Sequence, residues 1–378
     1  MGLVVGIDAS RNRSGGAKGH LLGILKDGDP LEHGISEVHL WSYRALLDSL
    51  PDRPWLIKHN PPALEQSLLQ QVWWQFWHLP REARRVGCTI MLNTDAGSVC
   101  RFRPAVTMSR DMLSYEPGEI RRFGFSRSRV RLVLLRVVQS QSMRFADGVI
   151  FLTEYAATVI QRTTGKLRRT TVIPHGVGKA FSERNVEAPW PADGGKPIRC
   201  VYVSNASMYK HQWVVVEAIG HLRSRGHNLE LTLAGGGSGR AMRRLEREIA
   251  RSDAQGKFVK CLGFVQPDVL PGVLAGANLF VFASSCENMP NTLVEAMAVG
   301  LPIACSDRGP MPEVLRDGGV YFDPENAVSI AEAIEALIRD ADLRTSKAAR
   351  AKHLAAQYSW ARCARETWSF LKTVARHG

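Results

Sequence analysis

The chain has 378 residues, of which 45% are hydrophobic and 22% charged, and its formal net charge is +13. This length is too great for one ordinary core and suits two domains, while the composition is globular and excludes disordered and fibrous classes. No stretch approaches the roughly 20 apolar residues that span a bilayer, and the start lacks a signal peptide's basic region and cleavage site, so we expect a cytoplasmic protein.

The first half opens with a strand and a glycine-rich segment. Leu3–Asp8 has the apolar run of a buried strand, and the glycines that follow precede a helix expected to begin at Leu21. The flexible backbone of Gly15 and Gly16 would let this segment approach a ligand closely. His20 ends this segment and is a candidate catalytic residue, although a solvated or capping histidine explains it equally well.

Two segments in the middle of the first half combine apolar and basic residues. A helical stripe consists of Leu64, Leu68, Val72 and Phe76, with Trp74 and Trp77 on a neighbouring face. We expect core packing to account for most of these aromatics, and any exposed ones would help a membrane-skimming first domain bring a lipid-linked acceptor to the cleft. Between Arg101 and Arg136, nine arginines face only three acidic residues and alternate with apolar side chains. A basic amphipathic segment can lie on an anionic membrane surface. Nucleic acid is the rival partner, but no nucleic-acid recognition motif is present.

The second half alternates between strand and helix patterns. Strands are predicted at Ile198–Ser204, Leu229–Ala234, Phe258–Leu262, Asn278–Ala283 and Pro302–Cys305. Helices are predicted at His211–Arg225, Gly239–Arg251, Asp268–Ala275 and Thr292–Val299. This rhythm indicates a parallel, doubly wound α/β sheet with its ligand at the carboxyl ends of the strands.

One loop-to-helix junction in this half carries two glutamates. Glu287 lies on the loop after a buried strand, and Glu295 lies just inside a helix that has Pro290 in its first turn and ends at Gly300. Free backbone amides at the helix start, together with the positive end of the helix dipole, suit a diphosphate; these are the amides of Asn291, Thr292 and Leu293. Each glutamate alone also has a structural explanation, because the dipole favours acids in a first turn and loop acids are usually solvated.

The stretch from Ser284 to Pro302 resembles the signature of retaining glycosyltransferases of family 4, the glycosyl transferases group 1. Members of that family are GT-B enzymes that use nucleotide sugars. The resemblance implies two Rossmann-like domains facing across a cleft, with a C-terminal helix crossing back to the first domain. It implies an acceptor-binding domain over 1–180 together with 359–378, a linker over 181–196, and a nucleotide-sugar-binding domain over 197–358.

The resemblance also assigns roles to residues of the donor site. Glu287 would contact the hydroxyls of the donor sugar, Glu295 the nucleotide ribose, and Lys210 the diphosphate; Glu287 and Lys210 are the catalytic candidates. The family commonly carries an arginine a few residues before this lysine, and Ser204–Ser207 occupy that stretch here. Further donor contacts are expected from Gly15, Gly16, Asn205, Gly235, Gly263, Phe264, Asn291, Thr292 and Leu293.

The acceptor site is less well defined by the sequence. Family members often carry a histidine in the middle of the first domain that faces the reacting sugar. The matching stretch here, Ala105–Met112, offers Ser109, Arg110 and Asp111 instead. Arg110, Asp111 and His20 are therefore the acceptor-site candidates, and no catalytic base is assigned.

These expectations describe a hexosyltransferase that moves a hexose from a GDP-mannose or UDP-hexose type donor to a glycan or lipid-linked glycan acceptor, in surface polysaccharide or lipopolysaccharide biosynthesis. We expect no cofactor and no metal, because the seven cysteines are scattered without the spacing of a zinc site. The protein is expected in the cytoplasm, peripheral on the inner face of the cytoplasmic membrane. A nucleotide-sugar epimerase and a non-catalytic nucleotide-sugar-binding assembly protein stay open as alternatives.

Overall fold

The computed structural model describes residues 2–13, 15–191 and 195–377. The chain divides into two compact units, Met1–Gly176 with Ser359–Gly378, and Val177–Tyr358. Each unit is built on one parallel sheet, which confirms the prediction of two Rossmann-like α/β domains. The predicted linker over 181–196 falls within the second unit, and its residues 192–194 lie outside the described residues.

Thirteen strands and fifteen α-helices are found in the described residues. The strands are β1 (Leu3–Asp8), β2 (Ile35–Trp41), β3 (Leu56–His59), β4 (Ile90–Asn93), β5 (Ala105–Met108), β6 (Gly148–Phe151), β7 (Arg169–Val172), β8 (Ile198–Val203), β9 (Leu229–Ala234), β10 (Val259–Gly263), β11 (Leu279–Phe282), β12 (Ile303–Ser306) and β13 (Val320–Phe322). The helices are α1 (Gly15–Asp27), α2 (Arg44–Leu47), α3 (Leu68–Trp77), α4 (Leu79–Arg85), α5 (Arg127–Phe145), α6 (Glu154–Thr164), α7 (Lys179–Ser182), α8 (Gln212–Ser224), α9 (Gly239–Ser252), α10 (Leu270–Ala275), α11 (Asn291–Val299), α12 (Met311–Leu315), α13 (Ala327–Arg339), α14 (Ala341–Ala355) and α15 (Trp360–His377).

The sheet of the first unit has the strand order β3-β2-β1-β4-β5-β6-β7, with all neighbours parallel. The chain reverses its direction of travel between β1 and β4, and such a switch point is where open α/β sheets bind ligands. The C-terminal helix α15 packs on α1 in this unit, as predicted. Trp368 of α15 is completely buried, and a Cβ at Gly28 would stand 2.8 Å from its Nε1.

Helix α1 begins earlier than predicted. It starts at Gly15 rather than at Leu21, so Gly15 and Gly16 lie in its first turn and not in a loop. The helical spacing of buried side chains explains the early start, because Ala17 and His20 face the core together with Leu21. The propensity cost of the glycines, about 1 kcal/mol each, is outweighed by this tertiary packing.

Helices α3 and α5 leave large apolar side chains exposed. The predicted stripe is only partly in the core: Leu64 is fully buried, Val72 and Phe76 are half-buried and Leu68 is 61% exposed, while α3 itself buries Trp74 and Gln75. Trp74 and Gln75 face inward because their side chains have hydrogen-bond partners there: Trp74 donates to Glu82, and Gln75 donates to the buried Asp8. The exposed apolar residues of these two helices and the turn before α5 are Leu68, Leu69, Trp73, Trp77, Phe125, Val130, Val133, Leu134, Val137 and Val138. No helix in the described part of the chain is both long and apolar enough to span a membrane.

The sheet of the second unit has the order β10-β9-β8-β11-β12-β13, again parallel throughout. Its switch point lies between β8 and β11. Every strand and helix predicted from the sequence of this half is present, with ends shifted by no more than two residues. Helix α11 ends as predicted at Gly300, whose φ of 88° is the left-handed conformation that glycine adopts at helix ends.

Candidate functional site

Lys210 and Glu287 meet at the switch point of the second sheet. Lys210 ends the 3-10 turn Met208–Lys210 that follows β8, and Glu287 lies on the loop that follows β11. Their side chains form an ion pair and are only 14% and 15% exposed. A pair this sheltered from water interacts far more strongly than one on the surface. The structure therefore brings together the two residues that the sequence selected for catalysis.

Hydrogen bonds hold the two loops of this ion pair together. The Ser285 amide donates to the Tyr209 carbonyl at 2.8 Å, and His211 Nε2 lies 2.9 Å from Ser285 Oγ. The Tyr202 hydroxyl donates to the Lys210 carbonyl at 2.6 Å. His211 has a φ of 47°, an uncommon left-handed backbone for a residue that is not glycine. These contacts fix the backbone from which Lys210 extends.

His211 and Ser285 are residues of this site that the sequence analysis did not select. The available signal was positional, since Ser285 lies three residues after the end of a buried strand and His211 follows Lys210 at a helix start. His211 is 2% exposed and Ser285 is 7% exposed. Two buried polar side chains that meet at a ligand-binding edge position the loops around them.

Glu295 lies in the second turn of α11 with a carboxylate oxygen cut off from water. Its Oε2 is inaccessible and has no hydrogen-bond partner among the described residues, although the residue as a whole keeps partial exposure. Burial raises the pKa of Glu295 to about 8, so the free protein holds this carboxyl group in its neutral form at pH 7. A buried polar atom without a partner costs stability, and a ligand hydroxyl would supply the missing bond.

The start of α11 differs from the prediction in its free amides. Pro290 is the N-cap rather than a first-turn residue, and it offers no side-chain cap, so the chain enters through a tight turn. The Asn291 amide therefore donates to Met289 O and the Leu293 amide to Pro290 O, each at 3.0 Å. The prediction of a free amide is therefore wrong for Asn291 and Leu293. The Thr292 amide has no hydrogen bond within the described residues, and its Oγ1 donates to Val203 O at 3.3 Å.

The glycine-rich loop after β9 packs against the loop after β8. Gly235 has a φ of 137°, and a Cβ there would stand 2.1 Å from the Ser204 carbonyl oxygen. This close backbone contact by itself explains why residue 235 is a glycine, and no bound ligand is needed to explain it. Asn205, Gly263 and Phe264 border the same edge, where Asn205 is exposed and Phe264 is 71% exposed. The Asn205 and Phe264 side chains are available to a ligand.

The acceptor candidates of the first unit have different surroundings. His20 is 1% exposed and stacks on His175 with 4.4 Å between ring centroids. Burial, with the nearby His175 and Arg110, holds the pKa of His20 well below its usual value, which keeps the ring neutral. Asp111 accepts hydrogen bonds from the Leu113 amide and from the Gln139 side chain, and burial raises its pKa. Asp111 is thus engaged in holding its own loop.

Gly15 and Gly16 are exposed in the first turn of α1, at the carboxyl edge of the first sheet. A Cβ at Gly15 would meet no atom within 4 Å beyond its chain neighbours, so the flank of the helix at this residue is uncrowded among the described residues. Among the residues that the structure describes, no group of three or more histidine, cysteine, aspartate or glutamate side chains is placed to hold a metal ion.

The paired Rossmann-like units and the site at the second switch point define a GT-B type of protein. Residues 197–340, most of the second unit, match the family model described as Glycosyl transferases group 1. This match confirms the resemblance at the level of the group for the matched region.

Relatives and a solved structure agree with this assignment. The chain is 33% identical over 117 residues to the O-antigen chain mannosyltransferase B of Escherichia coli, covering 31% of this chain and 31% of that protein. It is 24% identical over 310 residues to the alpha-D-kanosaminyltransferase of Streptomyces kanamyceticus, covering 76% and 77%. Anabaena HepE, solved in complex with UDP and glucose, superposes with a TM-score of 0.73 at 20% identity, covering 99% and 100% of the two chains. The last similarity shows the shared fold.

Proposed function

We propose that this protein is a retaining glycosyltransferase of family 4. In this proposal it transfers a hexose from a nucleoside-diphosphate sugar, of GDP-mannose or UDP-hexose type, to a glycan or lipid-linked glycan acceptor in surface polysaccharide biosynthesis. The observation that carries the proposal is the convergence of three groups at the switch point of the second sheet: the Lys210–Glu287 pair, the open Thr292 amide and the unpartnered Glu295 oxygen. The similarity to an O-antigen mannosyltransferase supports the choice of pathway.

The three groups match the three parts of a nucleotide sugar. A ribose carries adjacent hydroxyls, and these would donate to the buried carboxyl of Glu295. A diphosphate is an anion, and Lys210 with the Thr292 amide at the helix start would bind it. Glu287 would accept from hydroxyls of the hexose. HepE, of the same fold, is solved with UDP and glucose, which supports a nucleotide sugar as the co-substrate here.

The proposed reaction needs no separate protein base. The bond between the anomeric carbon and the diphosphate oxygen breaks, a bond from that carbon to the acceptor oxygen forms on the same face, and the acceptor's proton passes to the departing diphosphate. Lys210 and the Thr292 amide would stabilise the negative charge that develops on the leaving group, and Glu287 would hold the sugar in position. We propose that these protein groups, without a cofactor, carry the charge of the diphosphate.

A panel of nucleotide sugars tests the donor site. The melting temperature of the full chain should rise with one class of nucleotide sugar, because a bound ligand stabilises the folded state by RT ln(1 + [L]/Kd). The Lys210→Met and Glu295→Gln variants should lose that shift, whereas Lys260→Met, which changes a 59% exposed lysine of the same unit, should keep it. Stabilisation that is equal in all four proteins would refute the assignment of the site.

Product analysis separates the proposed transferase from the two alternatives. An epimerase would convert one nucleotide sugar into its stereoisomer without an acceptor. A non-catalytic binding protein would show the thermal shift but would release no nucleoside diphosphate with any acceptor. Release of nucleoside diphosphate that depends on an added glycan or lipid-linked glycan is the result expected here, and the anomeric configuration of the product, read by NMR, tests retention.

We further propose that the first unit rests on an anionic membrane surface. The exposed residues Val130, Val133, Leu134, Val137 and Val138 have the spacing of one helix face, so α5 turns its apolar stripe toward solvent. The buried positions of α5 are the apolar Leu132 and Met143 and the polar Gln139 and Ser140, so the helix leaves much of its apolar surface on the exposed face. Arg127 and Arg131 are exposed beside the stripe, and such arginines complement anionic lipid headgroups. This would bring the enzyme to lipid-linked acceptors.

Cosedimentation with vesicles tests this surface. The full chain should bind vesicles containing phosphatidylglycerol and should not bind pure phosphatidylcholine, and salt should weaken the binding. Leu134→Gln with Val137→Gln should reduce binding at least tenfold with little effect on folding, since both side chains are more than half exposed. Leu262→Gln, an exposed position in the second unit, is the matched control. Binding that survives the α5 changes, or loss that coincides with breakdown of a dimer, would refute the proposal.

A further inference from the structure

A buried guanidinium group with an unpaired nitrogen lies at the switch point of the first sheet. Arg110 follows β5, and its side chain is 9% exposed. Its Nη2 donates to Asn12 Oδ1 at 2.7 Å, while its Nη1 is inaccessible and has no hydrogen-bond partner among the described residues. Buried charged groups are normally fully hydrogen-bonded. The open Nη1 therefore indicates that a partner is missing from the site.

The acidic residues around Arg110 do not supply that partner. Asp95 Oδ2 lies 3.8 Å from Nη2, outside hydrogen-bond distance, and its Oδ1 accepts from the Gly97 amide at 2.6 Å. Asp111 is bound to its own loop, as described above. Asp8, the buried acid at the end of β1, accepts hydrogen bonds from Ser10, Gln75 and Ser98. The Asp95 carboxylate is thus within ion-pair distance of Nη2, and no described carboxylate hydrogen-bonds to Nη1.

Other positive features lie at the same edge. Asn12 links Arg110 to the first turn of α1, because its Oδ1 accepts from Arg110 and its Nδ2 donates to Ala17 O at 3.4 Å. That first turn contains no acidic residue, and a Cβ at Gly15 would meet no atom within 4 Å beyond its chain neighbours. Arg11 has a buried Nε that also lacks a hydrogen-bond partner within the described residues. Two unpaired guanidinium nitrogens and the positive end of a helix dipole thus share one edge of the sheet.

We propose that this cluster binds an anionic group of the acceptor, a phosphate ester or a carboxylate, so that the acceptor glycan carries a negative charge. The guanidinium fork matches the geometry of both groups, and each would provide the acceptor oxygens that Nη1 and Arg11 Nε lack. The buried His20 beside Arg110 is neutral and adds no charge of its own. The identification of the ligand as the acceptor rests on the proposed function; the anion site itself does not.

Direct binding to the full chain tests the site without any nucleotide. Calorimetric titration with glucose 6-phosphate, glucuronate and neutral glucose should show binding of the two anions and at least tenfold weaker binding of glucose. Arg110→Gln should reduce anion affinity at least tenfold, and Arg11→Gln, a less buried change with less risk to folding, should reduce it in the same direction. Arg168→Gln is the matched control, because Arg168 is 61% exposed and pairs with Asp147 outside this cluster. Equal binding of the anions by Arg110→Gln and the unchanged protein would overturn the proposal, as would glucose binding as tightly as the anions.

Hydrogen exchange distinguishes this site from the donor site. Glucose 6-phosphate and glucuronate should protect amides in peptides covering the start of α1 and the segment after β5. Lys210→Met should leave this protection unchanged, because Lys210 belongs to the second unit. Protection confined to the second unit would refute the anion site. Failure of the nucleotide-sugar screen alongside intact anion protection would instead refute the proposed donor chemistry and leave this site standing. Preference for the phosphate or the carboxylate then identifies the charged group of the acceptor.

Discussion

The buried carboxyl of Glu295 makes the stability of the second unit depend on pH in an unusual direction. Its pKa is about 8 in the folded protein because of burial, against about 4.3 for an exposed glutamate. The folded state therefore binds the proton more tightly than the unfolded state. The contribution of this group is fully present below the unfolded pKa and is lost as the pH rises through the folded pKa. Glu295→Gln replaces the carboxyl by a neutral amide of the same shape and should remove this dependence.

The size of the effect follows from the two pKa values. The free energy of unfolding should fall by about 1.4 kcal/mol per pH unit between about pH 5 and 8, an accumulated loss on the order of 4 kcal/mol. This is an upper limit, since water entering near a partly exposed residue reduces it. The Glu295→Gln variant should be nearly flat over the same range. Above pH 8 it should be the more stable of the two proteins.

Urea unfolding measured separately for each unit provides the assay. Samples equilibrated at pH 5.5 to 8.5 would receive a brief deuterium pulse at one fixed pH, and peptides from β8 and α11 would report the second unit. Peptides from β1 serve as the internal control, and Glu332→Gln, an exposed position of α13, is the matched substitution. Parallel pH profiles for the Glu295→Gln variant and the unchanged protein would show that the Glu295 carboxyl is not the group responsible.

Three further predictions concern other residues of the two units. Lys210→Met should destabilise the second unit by about 3 kcal/mol because it leaves the sheltered Glu287 carboxylate without its ion-pair partner, and it should lower turnover by roughly 10²-fold. Adding Glu287→Gln should restore stability but not turnover. If urea unfolding shows no such restoration, the ion pair is contradicted. Gly235→Ala should lower the free energy of unfolding by more than about 3 kcal/mol, because a φ of 137° is strained for alanine and a backbone oxygen would stand 2.1 Å from the new Cβ. Gly239→Ala, in open space at a φ of 74°, should lower it by about 1 to 2 kcal/mol. Similar melting temperatures for the two variants would contradict this. The lowered pKa of His20 means that the unfolded state binds more protons, so the first unit should lose stability as the pH falls below about 6.5, and His20→Gln should reduce that loss in acid unfolding curves; an unchanged curve would exclude His20 as the cause.

The elements of the second unit follow closely from the sequence because local signals and tertiary packing agree there. Apolar strands alternate with helices, and Gly300 marks the end of α11. The resemblance assigned Lys210 and Glu287 to one ligand site, and the sheet places their loops side by side. The turn at Pro290 was predicted less well. The hydrogen bonds made by the Asn291 and Leu293 amides depend on the local backbone conformation rather than on the residue pattern.

The first unit follows less closely from the sequence because its patterns mislead. Glycines at the start of α1 suggested a loop, yet the burial of Ala17 and His20 extends the helix through them. The apolar stripe along α3 includes the half-buried Val72 and the 61% exposed Leu68. Periodicity shows that a helix has two faces and does not show which of them is buried. The lack of a partner for Arg110 Nη1 depends on the positions of Asn12 and Asp95, which are distant in the chain.

The order of the chain has a consequence for biosynthesis. Helix α15 belongs to the first unit but is translated after the whole second unit, and it contributes the fully buried Trp368, Leu371 and Val374. A ribosome-bound chain that has completed only residues 1–176 thus presents uncovered apolar surface until the last helix emerges. The second unit, encoded by one continuous stretch, faces no such delay. Removal of the last eighteen residues should therefore harm the beginning of the protein more than its middle, and chaperones would be expected to attend the nascent first unit.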